Sequence, residues 1–74
     1  MKKKYTKEQL KLLSNEELMD KTRNCAVDVY MYDGRFSQLC ANDFQGFDIE
    51  KTFLYSKTGI RIYLQEVDYI EVIE

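Results

Sequence analysis

A chain of 74 residues with 45% apolar residues, 14% aromatics and no proline is too rich in core-forming side chains for a disordered segment. At this length it buries only about 60% of the surface its unfolded form exposes, enough for one modest core, so a single domain over residues 1–74 is expected. The net charge of −2 is unevenly spread: residues 1–24 carry seven Lys/Arg against four Asp/Glu, and residues 25–74 carry four against nine. The acidic second part argues against a general nucleic-acid binder there, because phosphate backbones repel acidic surfaces.

Residues 1–5 read as a basic tail, with Lys2-Lys3-Lys4 solvated. These lysines resemble the start of a secretory signal, but Thr6 to Gln9 stands where an apolar stretch of about 7–15 residues is required. The apolar runs, Leu12-Leu13 and Ile60 to Leu64 among them, fall far below the roughly 18 residues that span a bilayer. A cytoplasmic protein with no membrane partner is expected.

Residues 6–23 carry two helix starts. Thr6-Lys7-Glu8-Gln9 and Ser14-Asn15-Glu16-Glu17 both have the form of a capping box, and Leu13 and Leu18 flank the second at the spacing of a hydrophobic staple. Two short helices over 7–12 and 15–22 are predicted, with Leu10, Leu13, Leu18 and Met19 as contacts. Neither approaches the roughly 12–15 residues at which an isolated helix becomes marginal in water, so both must dock on the remainder or on a partner. Insertion of this amphipathic piece into a partner's groove or onto a membrane is the functional alternative.

Residues 25–73 alternate. Cys25, Val27, Val29 and Met31 share one face of a strand and Ala26, Asp28, Tyr30 and Tyr32 the other, and Asp33-Gly34 signals a hairpin. A two-residue turn places Phe36, Gln38 and Cys40 on the Val27/Val29/Met31 face, with Gln38 the misfit, and Arg35, Ser37 and Leu39 on the Tyr30/Tyr32 face. The same register sets Cys40 opposite Val27 and Cys25 opposite Asn42, a poor disulfide geometry. Both cysteines are expected to be reduced packing residues. Residues 42–51 lack periodicity and read as a loop that could hold a bent strand end. A strand over 52–56, a turn at Lys57-Thr58-Gly59, a strand over 60–65, a turn at Glu66 to Asp68 and a strand over 69–73 with Ile70 and Val72 on one face follow. The fold class is mainly β (α+β): short N-terminal helices, then a five-stranded antiparallel meander forming a curled sheet or small barrel.

The order helix, Val27-x-Val29-x-Met31-x-Asp33-Gly34-Arg35 and Gly59-Ile60-x-Ile62-x-Leu64-x-x-Val67-x-x-Ile70 resembles the Sm-like and Rho-binding antiterminator type of small barrel over residues 25–73. Sm-like proteins bind RNA through an Asp-x-hydrophobic-x-Asn stretch and a later Arg-Gly or Lys-Gly pair. Here Asp43-Phe44-Gln45-Gly46-Phe47 lacks the Asn, and Gln65-Glu66 replaces the basic pair. No RNA-contact residues carry over. The antiterminator-like branch fits better, and that resemblance implies blocking a larger protein rather than chemistry.

Catalytic apparatus is missing from the sequence. There is no His, the two Cys lack zinc-site spacing, and no glycine-rich phosphate loop occurs. Asp43, Asp48 and Glu50 fit no calcium-loop spacing and read as solvated carboxylates. No cofactor, no metal and no enzymatic activity are expected. The leading reading is a non-catalytic regulator or inhibitor, with size and Lys/Asn/Tyr usage that suit a phage or mobile-element origin. It would contact a larger protein with a basic nucleic-acid-binding surface through Tyr30, Tyr32, Arg35, Asp43, Phe44, Phe47, Asp48 and Tyr63. Tyr and Arg are hot-spot residues, and Phe44 and Phe47 are either a protruding knob or plugs of the barrel's end. An Sm-like RNA-binding module, assembled as a ring through strand edges, and a structural homo-oligomer are the alternatives.

Overall fold

In the computed structural model, which describes residues 1–74, both capping boxes form. The Thr6 hydroxyl accepts the Gln9 amide at 3.2 Å and the Ser14 hydroxyl accepts the Glu17 amide at 3.0 Å, with each N3 side chain returning a bond to the cap amide. They start α1 (Lys7–Leu12) and α2 (Asn15–Lys21). Leu10 and Leu18 are fully buried and Leu13 packs against the same cluster. The two helices thus dock on the chain's own core.

The strands are β1 (Lys2–Thr6), β2 (Ala26–Met31), β3 (Phe36–Leu39), β4 (Phe44–Phe47), β5 (Phe53–Ser56), β6 (Arg61–Tyr63) and β7 (Val67–Ile73), with a 3-10 turn at Leu64–Glu66. They make two antiparallel sheets, in the orders β1-β7-β2-β3 and β4-β5-β6, and close no barrel. The fold is mainly β with two short helices, as the alternation implied. The expected five-stranded meander is instead divided, because β7 returns across the molecule to lie between β1 and β2. The basic tail is also corrected: Lys2 to Thr6 pairs along β7 from Lys2↔Ile73 to Thr6↔Tyr69.

The hairpin register differs from expectation by one residue. Val27 faces Leu39 and Tyr30 faces Phe36. The Met31 amide donates to the Arg35 carbonyl and the Gly34 amide to the Met31 carbonyl, so the loop is Tyr32-Asp33-Gly34, with Gly34 at φ +88°. A three-residue loop with glycine in the left-handed position is the next commonest hairpin connection after the two-residue one. A one-residue slip moves every β3 side chain to the opposite face. Leu39 is therefore buried behind Val27, Phe36 is 52% exposed, and Gln38 donates to Asp28 on the outer face at 2.8 Å. The misfit at Gln38 disappears.

β4 lies in the segment read as a loop. Its register against β5 shifts between Phe44 and Gly46, a bulge that lets Phe44 and Phe47, three residues apart, both point inward. They are 4% and 1% exposed. Fourteen apolar side chains form one core: Val27, Val29, Ile70 and Val72 from the larger sheet, Leu54 and Ile62 from the smaller, and Leu10 and Leu18 from the helices among them. Gly46 sits under α2 at φ +92°, where a Cβ would strike the Asn15 carboxamide and lie 2.9 Å from the Met19 sulfur. Asn15 cannot yield freely, since its Oδ1 accepts the Phe47 amide at 3.1 Å. Gly46→Ala should therefore cost about 2–4 kcal/mol in urea denaturation, and a loss below about 0.5 kcal/mol would contradict this packing.

Candidate functional site

The outer face of the larger sheet is ordered by its register into rows. Thr6, Tyr69, Tyr30 and Phe36 stand side by side across β1, β7, β2 and β3, and Lys4, Glu71, Asp28 and Gln38 form the adjacent row. Tyr30 stacks on Tyr69 with ring centroids 4.6 Å apart and planes 18° apart, and tilts against Phe36 at 5.0 Å. The Lys4 ammonium lies over the Tyr69 ring at 4.2 Å. Both helices contribute to the core, and in the aromatic row Phe36 is exposed while Tyr30 and Tyr69 are half-buried.

The second row places like charges face to face. Asp28, only 5% exposed, is directly opposite Glu71. Such pairs destabilise a sheet unless neighbours compensate. Gln38 donates to Asp28, and Lys4 stands across from Glu71. The Glu71 carboxylate is the main reason that the Tyr30 phenol is raised above its ordinary range; partial desolvation adds to the effect. The row thus presents a neutral aromatic strip beside fixed carboxylates.

Of Tyr32 and Arg35, both expected on the Tyr30 face, Tyr32 opens the hairpin loop and Arg35 follows it, bonded through its carbonyl to the Met31 amide. Arg35 is held by Asp33 through Nε at 2.6 Å and by Glu66 through Nη2 at 2.7 Å. These hydrogen bonds, Glu66 first, raise its pKa further, and the Arg35 amide lowers that of Asp33. The Tyr32 amide donates to the Glu66 carbonyl at 3.0 Å, and the Lys7 ammonium lies 5.1 Å from its ring centroid. The loop is pinned to the 3-10 turn, and the Arg35 charge is already balanced. Glu66, read from sequence as an acid in place of a basic RNA contact, serves here as an ion-pair partner.

The other expected residues disperse. Phe44 and Phe47 are core residues and not a surface knob, because the β4 bulge turns both inward. Asp43 closes a turn, its carboxylate accepting Thr58 Oγ1 at 3.3 Å. Asp48 Oδ1 accepts the amides of Thr52 at 2.6 Å and Phe53 at 2.9 Å, which bends the chain into β5. No three His, Cys, Asp or Glu side chains gather to hold a metal ion. Cys25 is half-buried against the core, whereas Cys40 is exposed on the β3 side and so does not pack as expected; the two are free thiols. Tyr63 lies on the smaller sheet, edge-to-face with Phe53 at 5.8 Å.

Phe36 and Tyr69 were missed by sequence reasoning, and each had a signal. Tyr69 alternates with the buried Ile70, which places it outside. Phe36 follows from a register in which Gln38 is not a misfit. On the smaller sheet, Phe53, Tyr55 and Arg61 also share the outer face with Tyr63. No protein-family model, curated protein or solved structure matches the chain. No helix is long and apolar enough to cross a membrane.

Hydrogen bonds from Phe53 first, and then Thr52, lower the Asp48 carboxyl below its ordinary value. A lowered folded-state pKa adds stability above the unfolded value of about 3.9, and that contribution disappears as pH falls through the folded pKa. Asp48→Asn should therefore be less stable than the parent at neutral pH, with the difference closing below about pH 4 in thermal melts. A difference independent of pH would contradict this role.

Proposed function

We propose that the chain is a non-catalytic binding protein that regulates or inhibits a larger protein by direct contact, using the outer face of the four-stranded sheet. The observation that carries the reading is the outward-facing row Tyr69–Tyr30–Phe36, with Phe36 exposed and both tyrosines half-buried. In a chain this short, apolar side chains are needed inside. Three adjoining rings on the outer face are a cost to solubility that binding explains, and rigid aromatic groups with polar tips are the residues that concentrate interface energy. The Glu71 carboxylate beside the row disfavours a phosphate backbone and favours a protein partner. The acidic balance of residues 25–74 points to a basic surface on that partner, such as the nucleic-acid channel of a larger protein, and would speed encounter with it.

The contact surface is centred on Phe36 and Tyr30, with Tyr32 at its edge. A photo-crosslinking phenylalanine analogue at position 36 should give a covalent adduct with one protein in cells, while the same group at Glu16, on α2, gives none. Phe36→Ala should leave the melting temperature within about 3 °C and weaken capture of that partner about tenfold or more. Equal adducts from both positions, or capture unaffected by Phe36→Ala, would remove this face as the site.

A further inference from the structure

Lys7 and Lys11, four residues apart on α1, share one helix face. Together with Lys51 they line a cleft of about 480 Å³ completed by Thr52, Tyr63, Leu64 and Gln65. No carboxylate lines it. None of the three lysines is in an ion pair, since the ion pairs of the chain are Arg23–Asp20, Arg35–Asp33 and Arg35–Glu66. In a chain of net charge −2, this is a concave concentration of positive charge, with Glu17 the acid close enough to interact with Lys51.

The cleft is also built. Lys51 holds a left-handed backbone, φ +56°, and its ammonium donates to the carbonyls of Lys11 and Leu13 at the end of α1. An ammonium has three donors, so one remains. The Lys7 ammonium donates to the Gln65 carbonyl at 3.4 Å, and the Leu64 amide to the Thr52 carbonyl at 3.0 Å, which joins the walls. Lys11 makes no side-chain hydrogen bond with the protein. Tyr63, supported by Phe53, supplies an aromatic wall.

We infer that this cleft binds the phosphate groups of a small ligand, with Lys7, Lys11 and Lys51 contacting the oxyanions and Tyr63 placed beside any ring the ligand carries. Its volume lies in the range of roughly 300–1,000 Å³ usual for small-molecule sites. Three lysines lining one cleft suit a di- or triphosphate better than a single carboxylate. The site lies on α1, β6 and the adjoining turns, separate from the aromatic row, and stands without the proposed protein contact.

The test is titration of the full chain with ATP and with inorganic tripolyphosphate at low salt, followed by amide chemical shifts. Saturable binding of either, with shifts confined to Lys7, Lys11, Lys51, Thr52 and Gln65, is expected. Lys7→Gln with Lys11→Gln should weaken it about tenfold or more, while Lys2→Gln with Lys3→Gln leaves it within about twofold. If Tyr63→Ala weakens ATP alone, the source of the phosphate is a nucleotide; if ATP and tripolyphosphate bind alike and Tyr63→Ala affects neither, the oxyanion alone is recognised. No saturable binding, equal loss in both lysine pairs, shifts elsewhere, or binding of single-stranded oligonucleotides but neither small ligand would overturn the proposal.

Discussion

Everything in this molecule depends on where β7 lies. The last strand of the chain pairs with the first, β1, on one side and with β2 on the other. It carries Val67, Ile70 and Val72 into the core with almost no exposure. Neither helix could stand alone at six and seven residues. They persist because α1 packs on β1 and β7 of the larger sheet and α2 on β4 of the smaller, with Leu10 and Leu18 completing the shared core. The same insertion makes the chain ends neighbours, with the Glu74 amide donating to the Met1 carbonyl at 2.9 Å.

Positioning of the aromatic row follows from that strand. Because successive side chains alternate, burying Ile70 and Val72 obliges Tyr69 and Glu71 to face outward. The three-residue hairpin loop then brings Phe36 beside Tyr30 on the same side. One glycine in a left-handed conformation thereby decides which β3 side chains are sealed and which are presented. Had the loop been two residues long, Phe36 would have been directed toward the core and Leu39 toward solvent.

Features set by neighbouring residues were the most legible in the sequence. The two helices, their caps, the alternation of β2 and of β7, and the inward placement of Ile70 and Val72 all follow from spacing within a few positions. Three matters were not legible. Lys2 to Thr6 has no pattern of its own and becomes a strand only because β7 is there to pair with it. Phe44 and Phe47 have a spacing that fits no strand until a bulge is allowed between them. The hairpin register turned on loop length, for which Asp33-Gly34 serves equally well in both versions, and Gln38 was the one residue that discriminated. Of the expected contact residues, Tyr30 keeps its place on the outer sheet face, Tyr32 lies in the hairpin loop and Arg35 just after it, Tyr63 joins another surface, Asp43 and Asp48 order turns, and the phenylalanines are core.

The one-residue change of hairpin register assembles the aromatic row on the outer side of the sheet. Nuclear Overhauser contacts among the rings of Tyr69, Tyr30 and Phe36, measured together with broadening by a soluble paramagnetic agent, test it most directly. Contacts from Tyr30 to both other rings, strong broadening at Phe36 and protection of Leu39 are the predicted result. Contacts from Phe36 to Val27 and Val29, with Leu39 broadened instead, would contradict the account and return the hairpin to the two-residue turn.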